Sequence, residues 1–207
     1  HIRITIRPAP MGRNGSSGHR LDLSATLPPM DAIETDRLVL RQWRDSDFAP
    51  FAALNADPRV MEFYPGPLST QDSDAFAHRI QESLARDGFG LYATEVKSSG
   101  RFIGYVGFAH AEFAAPFTPA IEIGWRLGFG AWGFGYATEA ALACLDHGFS
   151  HLGFDEVVSF TSRQNARSIA VMKRLAMETN PSDDFEHPKV PERHPLRPHV
   201  LYRITKP

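Results

Sequence analysis

Residues 121–139 read Ile-Glu-Ile-Gly-Trp-Arg-Leu-Gly-Phe-Gly-Ala-Trp-Gly-Phe-Gly-Tyr-Ala-Thr-Glu. Gly124, Gly128, Gly130, Gly133 and Gly135 crowd the passage from an apolar run into a helical pattern. Glycine lets the backbone turn tightly and lets a ligand approach main-chain N–H groups. The first N–H groups of the following helix lack intrahelical partners and attract an anion. Strand, glycines and helix in this order mark a candidate phosphate cradle, against the plainer alternative of a packing-driven loop.

Gly128-x-Gly130-x-x-Gly133 also matches the dinucleotide fingerprint of NAD(P)-dependent oxidoreductases. That fingerprint wants an acid about 20 residues on, at the far end of the next strand. Asp155 and Glu156 lie at that distance but precede the strand 156–162. A ribose contact would fall at the wrong end of the sheet. The fingerprint should also open the fold, and here three strands come before it.

Those strands are predicted at 89–96, 102–109 and 120–127, with a Gly-containing turn at 97–101. Short links make them an antiparallel meander. Before them, 37–43 alternates as a strand does. Asp45-Ser46-Asp47 supplies N-cap chemistry for a helix to about Asn55, and Pro58 permits a short helix carrying Val60, Met61 and Phe63. Residues 69–87 form an amphipathic helix with Phe76, Ile80 and Leu84 at i, i+4 and i+8, closed by Gly88. After the glycines come a helix at 136–150, a strand at 156–162 and a helix at 166–176. An extended loop at 181–198 holds five prolines, and a last strand covers 199–205. No internal repeat is visible.

Residues 1–30 differ in composition. They hold four prolines and a Gly-Ser-rich stretch at 12–18, so they read as an N-terminal extension, linker-like or vector-derived, ahead of one domain at 31–207. Arg3, Arg7, Arg13 and Arg20 precede the first acid, Asp22, which weakly resembles a transit peptide. Ile2, Ile4 and Ile6 alternate and suit an edge strand. The chain's 207 residues suffice for one sizeable core. A net charge of -2 lacks the basic surplus of a general nucleic-acid binder. The single cysteine, Cys144, excludes an internal disulfide and a Cys-based metal cage. No apolar run reaches the ~20 residues of a membrane span. The expectation is a cytoplasmic protein with neither membrane nor direct nucleic-acid partners. His187, His194 and His199 match no standard zinc spacing, so no metal is expected.

Trp132-Gly133-Phe134-Gly135-Tyr136-Ala137 resembles the pyrophosphate loop of the GNAT N-acetyltransferases, Gln/Arg-x-x-Gly-x-Gly/Ala, with Trp in first place. That departure, with Glu122-Ile123-Gly124-Trp125 before it and Thr138-Glu139-Ala140 after it, is similar to the RimJ/RimL-like branch. So are Thr35-Asp36-Arg37-Leu38-Val39-Leu40-Arg41 at the first strand and Asn165-x-x-Ser168-x-x-Val171-Met172 at the last helix. The usual Leu-Gly-Phe/Met is Leu175-Ala176-Met177 here.

The resemblance spans about residues 35–202 and implies an α/β (α+β) GNAT fold. Its mixed, mostly antiparallel sheet has about six or seven strands, flanked by about four helices, with splayed strands at the coenzyme site. It implies acetyl-CoA as co-substrate, a primary amine as acceptor, and the homodimers common among relatives. It places pantetheine against Ile123, Gly124, Trp125 and Leu127. The N–H groups of Gly133, Phe134, Gly135, Tyr136, Ala137 and Thr138 would take the pyrophosphate, and Asn165 a further coenzyme contact. Ser168 would protonate the leaving thiolate, because branch members carry serine there; support of the helix start is its plainer role.

Glu122, charged on an otherwise apolar strand, is the candidate general base acting through water; a solvent-facing or ion-paired glutamate is the alternative. His110 and Glu112 are reserves, and Glu139 reads as structural because helix starts favour acids. A backbone N–H near Gly124 or Trp125 would hold the oxyanion. By family analogy Trp43, Phe63, Tyr64 and Trp125 line the acceptor site, though each is also a core candidate. A non-catalytic acyl-CoA sensor that kept the cradle and lost the chemistry stays open as an alternative function.

Overall fold

The computed structural model describes residues 5–7 and 32–207. Its elements in chain order are β1 (Thr5–Arg7), β2 (Ala32–Glu34), β3 (Leu38–Arg41), α1 (Phe48–Ala56), α2 (Thr70–Asp87), β4 (Leu91–Val96), β5 (Arg101–Ala111), β6 (Ala120–Leu127), α3 (Tyr136–Ser150), β7 (Glu156–Ser162), α4 (Ala166–Arg174), β8 (Glu178–Thr179), β9 (Phe185–Glu186) and β10 (Pro198–Thr205). One sheet runs β1-β2-β3-β4-β5-β6-β7-β10-β8, with β9 added beside β10. All pairs are antiparallel except β6–β7. The sheet has ten strands, more than the six or seven expected. The excess is β2, β8 and β9, each too short to leave a periodic signal. β1 falls on the alternating isoleucine run; Ile2 and Ile4 lie outside the described residues.

The meander predicts the centre of the fold, because a short link brings each strand back beside the last. β5 and β6 pair over Gly104–Ala111 without a break. The helices divide between the faces. Phe51 of α1 and Phe76 of α2 meet Tyr105 of β5, both at 6.0 Å between ring centroids. On the other face Phe108 of β5 meets Gly148 of α3 so closely that a Cβ there would come within 2.8 Å. Ile80 and Leu84 of α2 are buried, as their spacing requires, and Phe76 packs against the core half-buried.

Three local expectations are corrected. The Asp47 side chain does not cap α1. It accepts from Arg41 Nη1 and Nη2 at 2.7 and 3.0 Å and from the Arg44 N–H at 2.8 Å, because a buried guanidinium must be neutralised. No helix follows Pro58. Tight turns onto the Asp57 carbonyl fill the space before Pro65, too short a stretch for a stable helix. The proline-rich tail is not wholly irregular, since Phe185 carries β9 onto β10 and joins Phe113, Phe117 and Phe160.

α4 ends where Ala176 takes φ 57, the left-handed region where the related motif has glycine. A Cβ is strained there by about 1 kcal/mol. Ala176→Gly is expected to raise stability by about that amount, or about 2–4 °C in Tm by calorimetry. An unchanged or lower Tm would remove the strain.

Candidate active site

β6 and β7 share one paired position, Glu122 with Val158. β5–β6 and β7–β10 are paired along their lengths on either side, so the sheet opens between two intact halves. Just past the Leu127–Gly104 pair the Gly128 N–H reaches the Ile103 carbonyl, 2.9 Å. By the alternation of an antiparallel ladder, the backbone groups of Leu127, Trp125 and Ile123 then turn away from β5, toward β7. The Leu127 carbonyl takes the Trp132 indole N–H at 2.8 Å. Trp125 and Leu127 lie past the last position paired with β7.

A cleft of about 1050 Å3 passes through this opening. Trp125 and Leu127 line it from the α3 face and Arg126 from the α1–α2 face, and Phe63, Tyr64, Gly133–Glu139, Asn165 and Ser168 complete its walls. Gly133 and Gly135 have φ of 83 and 81, which a side chain resists, and Gly135 is the uncapped start of α3. Among the described residues no partner is seen for the amides of residues 133–138.

Three anchors hold this loop. Trp132, the departure from the family's Gln/Arg, ties its start to β6. Arg37 Nη1 donates to the Phe134 carbonyl at 2.9 Å. Glu139 accepts from the Thr35 hydroxyl at 2.6 Å and from the Arg37 N–H and Nε at 3.1 and 2.6 Å. Burial would raise the Glu139 carboxyl, but the bonds from Thr35 and Arg37 outweigh it and hold the carboxyl below its ordinary value. Glu139 is structural, as read. Its partners lie about a hundred residues away, which no local pattern shows.

Glu122 is half-buried on the α1–α2 face, and its Oε1 lies 3.6 Å from where a Cβ on Gly124 would sit. No hydrogen-bond partner is seen for it among the described residues. Burial pushes its carboxyl up to about 8, against the opposing pull of Lys189. Asn165 caps α4, accepting from the Ser168 N–H at 3.1 Å. Its Nδ2 donates to Ser168 Oγ at 3.0 Å, so the hydroxyl proton of Ser168 is left for another acceptor.

Not every candidate reaches the cleft. Trp43 is buried core, its indole N–H on the Leu91 carbonyl at 2.8 Å and its ring edge-on to Phe51. The Ile123 side chain is fully buried, so only its backbone bears on the opening. His110 lies 3.5 Å from Asp87, on the opposite face of the sheet from Glu122, and Glu112 is exposed beyond β5. His187 and His199 sit 4.8 Å apart within the phenylalanine cluster. Gly128 and Gly130 line a separate recess with Pro50 and Leu54, so the dinucleotide fingerprint does not form one ligand loop. Arg37 enters only as part of the first-strand motif, and Arg126 and Arg167 of the cleft are given no role from the sequence, because the spacing of an arginine does not show what it meets.

A GNAT acetyltransferase domain matches residues 37–178. The uncharacterized protein YkkB of Bacillus subtilis (strain 168) is 33% identical over 146 residues, covering 70% of this chain and 84% of YkkB. YnaD of the same organism, an uncharacterized N-acetyltransferase, is 27% identical over 146 residues, 70% of this chain and 81% of its own. Among solved structures, an acetyltransferase from Agrobacterium tumefaciens str. C58 aligns with TM-score 0.68 and 29% identity over 90% of this chain and 99% of that one. RimL, the ribosomal L7/L12 alpha-N-protein acetyltransferase, solved with coenzyme A, shares the fold at TM-score 0.67 and 16% identity, over 82% of this chain and 94% of RimL. The chain belongs to the GNAT acetyltransferase family, whose donor is acetyl-CoA.

Gly135→Val is expected to weaken coenzyme A binding at least 10-fold in a calorimetric titration, because it fills the approach to the amides and strains a positive φ. Phe134→Ala, which leaves the backbone donors in place, is expected to change it less than about 3-fold. Equal affinities would count against the cradle.

Proposed function

We propose that this chain moves the acetyl group of acetyl-CoA directly to a primary amine within a ternary complex. The observation that supports it is the cleft through the sheet, with six amides at one end that have no partner among the described residues, and Glu122 at the one position where β6 still pairs with β7. The amides of residues 133–138 receive the pyrophosphate, with Asn165 beside them. The backbone edge at Trp125 and the Leu127 N–H receives the amides of pantetheine, the Leu127 carbonyl being taken by Trp132. Phe63 and Tyr64 border the acceptor side.

An amine attacks only when unprotonated, and an α-amine has a pKa of about 8 against about 10.4 for lysine. Glu122 takes that proton through water. The backbone N–H of Trp125, turned into the opening, faces the developing oxyanion. The nitrogen–carbon bond forms, the carbon–sulfur bond breaks, and Ser168 gives its free proton to the thiolate.

Glu122→Gln is expected to lower kcat/KM by about 10²–10⁴-fold and to abolish its rise with pH through about 8. The same variant makes a second, activity-free test. A carboxyl raised in the folded state stabilises fully below its unfolded pKa of about 4.5, and that contribution is lost as pH climbs through about 8. Discounted for partial exposure, Glu122→Gln should gain about 1–2 kcal/mol over wild type at pH 9 and nothing at pH 4. Ser168→Ala should lower kcat about 10²-fold with a loss of no more than about 1 kcal/mol of stability, since the cap bond goes to its backbone and Asn165 Nδ2 keeps the Thr161 hydroxyl when it loses Ser168 Oγ. Release of free thiol from acetyl-CoA, measured with a panel of amines and N-terminal peptides, tests the reaction itself. Coenzyme A binding without amine-dependent release would make the chain a sensor.

A further inference from the structure

Among the described residues two arginines are buried, Arg41 at 7% and Arg126 at 8% exposure. Arg41 is held by two carboxylates, Asp47 at 2.7 Å and Glu95 at 2.8 Å. Arg126 has no carboxylate partner among the described residues. Its Nη1 donates to Asn55 Oδ1 at 2.7 Å, and Asn55 in turn donates to Ser73 Oγ at 2.9 Å. That chain is neutral: it aims the guanidinium without balancing its charge. The rings of Tyr64, Phe76 and Tyr105 lie 4.0, 5.5 and 5.6 Å from the guanidinium carbon. Cation–π attraction offsets part of the desolvation. Arg126 Nε is still buried with no acceptor, and the residue lines the cleft.

A buried cation without a counter-charge is costly unless something completes it. Arg126 pairs with Tyr105 across the β5–β6 ladder, so it faces α1 and α2, away from α3 and the amide cradle. Its missing partner therefore belongs to the acceptor. Arg126, Gly124 and Glu122 alternate along β6 on that face, with the bare glycine between charge and base. Two residues of strand span about 7 Å. An anion at Arg126 would leave an amine a few bonds away above Gly124, beside Glu122.

Resting on the acetyltransferase reading, we propose that the acceptor is a small amine bearing a carboxylate close to its nitrogen, as in a free amino acid. Arg126 binds that carboxylate through its unpartnered Nε edge, the edge that suits two carboxylate oxygens.

The test pairs free amino acids with their amides as acceptors, aliphatic, aromatic and acidic side chains included. Wild type should prefer the acid by about 10–100-fold in kcat/KM, mostly through KM. Arg126→Met should collapse that preference without changing coenzyme A affinity. Arg126→Lys should keep part of it, and decides the matter if the methionine variant fails to fold. Wild-type indifference between acid and amide overturns the proposal, and so does an equal loss on both in the variant. Weakened coenzyme A binding in Arg126→Met would assign the arginine to a coenzyme phosphate and overturn it too. Calorimetry of the coenzyme A complex with N-acetyl amino acids against N-acetyl amino acid amides reads the same preference without turnover. If no amine is acetylated, the acetyl-transfer reading fails, and this titration still decides whether Arg126 selects a carboxylate.

Discussion

The parting of β6 from β7 after Glu122–Val158 is the constraint on which the site depends. Peptide groups inside a sheet are ordinarily paired, and leaving them without partners is costly. The long ladders on either side hold the two halves apart while each half stays intact. The result is a passage through the sheet instead of a groove on one face. Donor and acceptor can then approach from opposite sides and meet within it, the geometry that direct transfer requires.

The loop at one end of the passage is held by residues remote from it in sequence. Arg37 and Thr35, at the start of β3, grip Glu139 in the first turn of α3, and Arg37 also takes the Phe134 carbonyl. Two φ values that glycine alone accepts easily are thus fixed by side chains from the other end of the domain. Such amides need little reorganisation to meet an anion. On the far side of the cleft Arg167 pairs with Glu62 and stacks on Trp132. The turn 57–66 is thereby tied to α4 across the opening.

Buried charge is treated in two ways. The guanidinium of Arg41 lies between Asp47 and Glu95 and joins β3, the start of α1 and β4. That arrangement is complete and carries no sign of a ligand. Arg126 is aimed as firmly, by Asn55 and Ser73, but no carboxylate pairs with it among the described residues. Glu122 is likewise half-buried with no hydrogen bond among the described residues, and burial raises its carboxyl.

The sequence by itself determined the central elements. The bounds of β6, α3 and β7 follow from alternation, glycine clustering and helical spacing, because these periodicities are local. It also placed the glycine-rich loop between β6 and α3, where Gly133 and Gly135 take positive φ. Tertiary structure alone decided the rest. Trp43 reads as an acceptor-site aromatic and is core, because apolar character does not say which surface a ring covers. Asp47 reads as a cap and neutralises Arg41, because a buried cation outcompetes a helix start. Arg126 alternates with Glu122 on β6, but that spacing does not say whether a carboxylate meets it. No carboxylate among the described residues pairs with it, and such a lack exists only once the chain has folded.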